Sequence, residues 1–207
     1  MGRYGIAVSL LFLPLSAGCL TFSSFQSARI VDPEQPRTTV ALSKSDFLEQ
    51  DQEEAGWLVL EIQNRFGLTR STDAAFKASV TRRMEDGWVG LVVTADARHS
   101  IWKDRLTFAL PASLLLGDFD FATLQLHPGF IATLPISRHL EVSGSAQAYL
   151  FVRVEELSTF GYTLGLGWSP HPDRWMLRPE IAWIHFGDDN DLYTQIGMGV
   201  EFPMPKR

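Results

Sequence analysis

The residues best suited to hydrolytic chemistry in this chain are one histidine and the aspartates that follow it. His185 precedes Asp188, Asp189 and Asp191, and a base beside carboxylates activates water when the groups are held together. In an alternating strand, however, His185 has the same parity as Trp183 and faces the apolar side, away from the solvated loop acids. We therefore expect an interfacial histidine rather than a proteolytic centre.

Nucleophilic and metal-assisted chemistry have even less support. The serines on the polar strand faces are small wall residues, and His127 alone does not supply both the base and the orienting acid that a catalytic serine needs. The chain has no His-x-x-x-His spacing and no glycine-rich phosphate loop. We expect no enzymatic activity, no cofactor and no metal. The net charge of -6 argues against nucleic-acid binding, which depends on a basic surface.

The N-terminus has the layout of an export signal. Arg3 precedes a short apolar run and the small residues before Cys19, so residues 1–18 are predicted to be a signal peptide that is removed. Cys19 is the only cysteine, and the Leu-Ser-Ala-Gly before it resembles the bacterial lipobox, in which signal peptidase II cuts before a lipid-modified cysteine. Ser16 departs from the aliphatic residue usual at its position. The resemblance implies lipidation of Cys19, and we interpret residues 19–36 as a flexible lipidated tether.

Most of the remaining chain alternates between apolar and polar residues in ten short segments. The last, from Leu192 to Phe202, is mostly apolar on one face and polar or glycine on the other. Strands of about 9–11 residues cross a bilayer when tilted. We predict an all-β, transmembrane, antiparallel up-and-down barrel over residues 37–202, with ten strands expected and eight or twelve left open. Because proline cannot donate to a ladder, breaks or bulges are expected at Pro111, Pro128 and Pro179.

If the apolar faces meet lipid, the charged side chains of the opposite faces enter the lumen. Buried charges are costly unless they are paired, so we expect a network of ion pairs that stiffens the barrel. About eight strands are just filled by side chains and about 16–18 leave a channel, so ten favour a plugged or very narrow pore. The predicted network consists of Glu61, Arg65, Lys77, Asp96, Glu141, Arg153, Arg178, Glu180 and Glu201.

The connections alternate in charge, acidic after odd-numbered segments and basic after even-numbered ones. An even strand number places both termini on one side, which we assign to the periplasm because the N-terminus is exported. Tryptophans near the segment ends are typical of the aromatic girdles of membrane barrels. The predicted girdle residues are Trp57, Trp88 and Trp183 toward the acidic ends and Trp102, Trp168 and Trp175 toward the basic ends.

This layout resembles that of small, lipobox-bearing outer-membrane β-barrel proteins of Gram-negative bacteria. The resemblance implies an outer-membrane protein, lipid-anchored on the periplasmic side, that contacts membrane lipid and lipopolysaccharide. It also implies that the aromatic Phe202 is recognised by the barrel-assembly machinery, although a periplasmic tail, residues 203–207, follows it. The expected role is structural or interactive, or that of a very narrow pore, and the oligomeric state stays open. The alternative is a soluble periplasmic lipoprotein barrel whose apolar faces point inward around an apolar ligand.

Overall fold

The computed structural model describes residues 25–47, 56–116, 123–151, 159–186 and 191–205. All regular structure in these ranges is β-strand, and none of them contains a helix long and apolar enough to cross a membrane. The strands are β1 (Arg37–Phe47), β2 (Trp57–Gly67), β3 (Thr72–Arg83), β4 (Val89–Trp102), β5 (Leu106–Leu116), β6 (Thr123–Leu126), β7 (Gly129–Pro135), β8 (Leu140–Phe151), β9 (Thr159–Trp168), β10 (Met176–Phe186) and β11 (Asp191–Pro203).

These strands form one antiparallel sheet that closes on itself. Neighbours in sequence pair as hairpins, β1 pairs with β11, and the pairing of β4 with β5 completes the circle. β6 and β7 keep one register against both β5 and β8, so they are two parts of a single strand interrupted at His127 and Pro128. The barrel therefore has ten strands, which confirms the predicted fold class.

Prolines cause the irregularities of this sheet because they have no N–H to donate. The break at Pro128 lies beside Pro111 of β5, whose carbonyl accepts a hydrogen bond from the backbone N–H of His127 at 2.8 Å. Pro179 interrupts the ladder between β9 and β10, while β10 stays fully paired with β11. The breaks expected at Pro128 and Pro179 are confirmed, and Pro111 belongs to the first of them.

Apolar side chains cover the outside of the barrel, and polar side chains fill its inside. Along β9, Leu164 is 52% exposed, whereas its neighbour Thr163 is 9% exposed and faces the lumen. The same alternation runs around the barrel, with buried Glu61 and Gln63 next to exposed Leu60 on β2. A soluble barrel has the reverse arrangement. The alternative of apolar faces turned inward around an apolar ligand is therefore wrong.

Residues 25–31, which precede β1, lie inside the barrel. Residues 25–28 are at most 6% exposed and Val31 is 5% exposed. An exposed turn, closed by a 2.9 Å hydrogen bond from the Gln35 N–H to the Asp32 carbonyl, leads from this segment to β1. The structure thus differs from the predicted tether over residues 25–31, because the backbone polar groups of this segment find partners in the lumen. Residues 25–31 are called the plug below.

The barrel has a terminal rim, which carries Arg37 and Pro203, and a far rim, which carries the turn at 84–88. Trp57 at the far rim is 6% exposed and packs edge-on against Trp88 with ring centroids 5.5 Å apart. Both residues belong to the inward parity of their strands, so the prediction that they form a lipid-facing girdle is wrong. The other four tryptophans of the predicted girdle lie on the outside: Trp102, Trp168, Trp175 and Trp183.

Candidate functional site

One buried carboxylate organises the terminal end of the lumen. Asp73 on β3 is fully buried and accepts hydrogen bonds from Arg65 at 2.8 Å and from two nitrogens of Arg98, each at 2.7 Å. The antiparallel registers of β2 and β4 against β3 place both arginines on the inward face beside it. Two guanidinium groups around one carboxylate leave an excess of positive charge and of N–H donors, which requires further acceptors.

The plug supplies those acceptors. Arg98 donates to the side-chain carbonyl of Gln26 at 2.6 Å, to the backbone carbonyl of Ser27 at 3.1 Å and to that of Arg29 at 3.0 Å. Arg65 donates to the same Arg29 carbonyl at 2.6 Å. Asp73 in turn accepts the backbone N–H of Val31 at 2.9 Å. The charge cluster on β2–β4 is therefore complete only with the plug in place.

A second group of ion pairs lies on strands β1, β8, β10 and β11. Arg178 reaches Glu141 at 2.9 Å and Glu201 at 2.8 Å, and Glu201 also meets Arg37 at 2.9 Å. Arg29, the one cation of the plug, lies 3.0 Å from the other oxygen of Glu141. The plug thus joins two groups of charges that stand on different walls of the barrel.

The plug also forms hydrogen bonds to side chains of β5, β7 and β10. The N–H of Ala28 donates to Thr133 at 2.7 Å, and the hydroxyl of Thr107 donates to the Ala28 carbonyl at 2.6 Å. The N–H of Phe25 donates to Glu180 at 2.9 Å. Because β5, β7 and β10 supply these partners, the plug spans the cross-section of the lumen.

Phe25 occupies a space left by two glycines of β11. A Cβ atom built on Gly199 meets the Phe25 ring and its Cβ atom at 3.2–3.3 Å, and one built on Gly197 meets the ring at 2.7 Å. Phe25 also has a positive φ of 42°, a conformation that a side chain of this size adopts only where its surroundings impose it. Three residues along, Ala28 is fully buried against Ala109 and Ile131.

Nearer the middle of the barrel, a lysine stands among acceptors. Lys77 lies 3.2 Å from one oxygen of Glu61, and Gln63 is its direct partner across the β2–β3 ladder. The second oxygen of Glu61, the amide oxygen of Gln63 and one oxygen of Asp96 are buried without a hydrogen-bond donor. Buried acceptors of this kind are normally hydrated or bound to a cation.

The lumen toward the far rim is filled by neutral side chains. Tyr193 donates to Ser45, and His127 packs against Tyr149 with ring centroids 4.6 Å apart. Trp57 forms an apolar cluster there with Val92, Leu115 and Trp88. Within the ranges described above, no three histidine, cysteine or acidic side chains are grouped as ligands for a metal ion.

The structure places most of the predicted lumen charges inside the barrel. Buried or half-buried on the inward face are Glu61, Arg65, Lys77, Asp96, Glu141, Arg178, Glu180 and Glu201. Arg153 and Cys19 lie outside the described residues. His185 is exposed on the outer face near Tyr162, with ring centroids 6.4 Å apart, and no side chain of the aspartates near it in sequence is described.

The sequence interpretation missed Asp73 and the plug. Asp73 has the inward parity of Ala75, Lys77 and Ser79, which was a usable signal. The plug has no periodicity, so its position could not be read from a pattern. Phe202, the predicted assembly signal, lies at the terminal end of β11 on the outer face, and its role stays a prediction.

Outside the spanning segments, one turn carries a perturbed carboxyl group. Hydrogen bonds from the Arg83 guanidinium and from the backbone N–H of Trp88 lower the pKa of Asp86 to about 2. The group is fully exposed at the far rim, so this interaction fixes the turn between β3 and β4 and contributes little to the barrel itself.

Comparisons with known proteins find likeness in fold. No family model matches this sequence, and no curated protein matches it. An outer-membrane channel from Pseudomonas putida F1 is 9% identical with a TM-score of 0.52, over 86% of this chain and 98% of that chain. The translocator domain of the autotransporter NalP from Neisseria meningitidis is 11% identical with a TM-score of 0.50, over 97% of this chain and 96% of that chain. The Escherichia coli outer-membrane protease OmpT is 9% identical with a TM-score of 0.45, over 86% of this chain and 100% of that chain. At such low identities, the structural likeness to the first two proteins shows a shared β-barrel fold and no more.

Proposed function

We propose that this protein is a non-enzymatic integral outer-membrane barrel that is closed by its own N-terminal segment and has a structural or interaction role in the envelope. The apolar exterior supports the membrane location, and one barrel of similar fold is an outer-membrane channel by name. The observation that carries the proposal is the plug, whose backbone is hydrogen-bonded to strands on several walls of the lumen. Free diffusion of solutes needs an open lumen, which this segment obstructs.

The proposal includes a periplasmic terminal rim and lipidation of Cys19. The periplasmic assignment applies to the side with the basic connections, and the turns of the terminal rim do carry exposed basic residues: Arg70, Lys103, Arg105 and Arg174. Fractionated membranes from cells that express the full chain should retain the protein at high salt and release it only with detergent. Labelling with a radioactive fatty acid should be lost in Cys19→Ala, whereas release at high salt without detergent would contradict the membrane location.

Conductance of the purified full chain in a planar bilayer tests the closed lumen. We expect no current steps of the size of an open ten-stranded pore under moderate voltage. A steady, voltage-independent open current in the wild-type protein would overturn the proposal. Heat-modifiable mobility on gels provides the control that the protein in the bilayer is a folded barrel.

A very narrow cation path is the second candidate function, favoured by the buried acceptors near Lys77. Oxygens of Glu61, Gln63 and Asp96 that lack donors would suit water or a small cation. In that case the same recordings should show small cation-selective steps, and the double variant Glu61→Gln with Asp96→Asn should lose the selectivity. Ser145→Ala, which removes the hydroxyl bonded to Thr163 at 2.8 Å, is the matched control and should conduct like wild type.

A further inference from the structure

The lumen recognises the plug mainly through its backbone. Within the plug, the partners of Arg65, Thr107 and Thr133 are peptide carbonyl and N–H groups, and so are two of the three partners of Arg98. Asp73 likewise accepts a peptide N–H. Backbone groups are common to every polypeptide, so this set of contacts fixes the path of a segment without fixing its sequence.

Side-chain selection acts at five positions of the plug. The first takes an aromatic ring, because Phe25 lies against glycines of β11. The second takes a side-chain acceptor, because the Gln26 amide oxygen accepts a hydrogen bond from Arg98 at 2.6 Å, and the third takes a small residue, because Ser27 is only 2% exposed. The fourth takes a small residue, because Ala28 is fully buried. The fifth takes a cation, because Arg29 meets Glu141 at 3.0 Å while its side chain stays 45% exposed.

A short turn, whose backbone passes close to Gly67 of β2, joins the plug to the barrel. Residues 32–35 are exposed, and the turn is held by local hydrogen bonds from the Glu34 and Gln35 N–H groups to Asp32. The covalent link therefore acts as a short tether. A short flexible tether holds a segment at an effective concentration of roughly millimolar, which a free competitor does not match.

We infer that the lumen contains a peptide-binding site for an irregular segment of the pattern aromatic, side-chain acceptor, small, small, basic. The plug fills this site in cis, and an equivalent segment of another polypeptide fills it in trans once the plug is displaced. The inference rests on the proposed closed lumen. It adds that the interior of this barrel is a recognition site for protein chains and that the plug acts as its autoinhibitory occupant.

The test uses the full chain with its plug displaced. Ala28→Trp is too large for the space between Ala109 and Ile131, so the plug should leave the lumen while the barrel wall is unchanged. Should Ala28→Trp fail to form a heat-modifiable barrel, Arg29→Glu places a carboxylate against Glu141 without altering a buried packing position. The probe is a synthetic peptide with the sequence of residues 25–31.

The displaced variant should show open-pore current in a planar bilayer, and the peptide should block that current in a dose-dependent manner. A peptide that carries Phe25→Gly should need at least a tenfold higher concentration, and one that carries Ala28→Trp should not block. A fluorescent form of the wild-type peptide should bind the displaced variant and not the wild-type chain, whose site is occupied.

The outcomes separate this inference from the proposed function. If the displaced variant conducts but neither blockade nor fluorescent binding occurs, the peptide site is refuted and the closed barrel stands. If the wild-type chain already conducts, the closed barrel is refuted, and peptide binding by the displaced variant still decides the peptide site. Equal blockade by all three peptides would show a nonspecific obstruction and would also overturn the inference.

Discussion

Replacing Asp73 by asparagine should destabilise the barrel far more than the loss of an exposed carboxylate does. The change keeps the shape of the side chain but removes the charge that faces Arg65 and Arg98, which are 2% and 1% exposed. Removing one partner of a buried ion pair costs about 3–5 kcal/mol, because the remaining charge stays buried without compensation. A loss of this size corresponds to a change of roughly 10² to 10⁴ in the unfolding equilibrium constant. Part of it should appear as plug release, since Asp73 also holds the Val31 N–H.

Urea unfolding of the protein in lipid vesicles, followed by tryptophan fluorescence, measures this loss. The matched control is Asp86→Asn, which alters the exposed far-rim turn and should leave the unfolding midpoint at neutral pH close to wild type. If Asp73→Asn lowers the unfolding free energy by less than about 1 kcal/mol, the cluster is not a buried ion-pair centre and the reasoning fails.

Two further predictions concern the fit of the plug and the far-rim turn. Gly197→Ala should displace Phe25 and raise the bilayer current, because the new Cβ would lie 2.5 Å from the Ser43 Cβ, 2.7 Å from the Phe25 ring and 2.9 Å from a backbone oxygen. Gly199→Ala, whose Cβ would lie 3.2–3.3 Å from Phe25, should leave the barrel nearly closed. Equal currents from the two variants would contradict the glycine-lined space. The pKa of Asp86, measured by carboxyl NMR, should be about 2 and should rise toward the usual 3.8 in Arg83→Ala. Because the pKa of Asp86 is lower in the folded protein than in the unfolded chain, the contribution of the Asp86–Arg83 pair to stability is fully present above pH about 4 and is lost as the pH falls through about 2. An unchanged pKa of Asp86 in Arg83→Ala would rule out Arg83 as the cause of the shift.

Alternation in the sequence was sufficient to predict the wall of the barrel. Leu60, Leu164 and their counterparts are exposed because period-two patterning places them all on one face of a continuous sheet. The interruption at Pro128 followed from its missing N–H, so both the strand number and its main irregularity were accessible without coordinates.

The tryptophan error came from the wrong criterion. Trp57 has the parity of Val59 and Glu61, which face the lumen, and that parity was readable in the sequence. Position near a strand end was used instead, and it does not distinguish the inside of a rim from the outside. Parity alone would have placed Trp57 in the lumen.

The position of the plug depends on contacts between distant parts of the chain. Its partners include Glu180, 155 positions from Phe25, and Thr133, 105 positions from Ala28. No local propensity encodes such contacts, because the plug has neither strand alternation nor helical periodicity. The surplus of arginine donors around Asp73, from Arg65 and Arg98, is visible only in the folded barrel. Such an excess is a signal that a further set of acceptors must be present.

A disulfide cross-link between plug and wall tests the central claim most directly. In a Cys19→Ser background, Ala28→Cys combined with Ala109→Cys should cross-link under mild oxidation in the refolded full chain, because the two alanines pack in one buried cluster. Ala28→Cys combined with Ala182→Cys, a buried alanine of β10 outside that cluster, should not. Absence of the first cross-link, together with rapid labelling of Ala28→Cys by a membrane-impermeant maleimide, would show that residues 25–31 do not occupy the lumen.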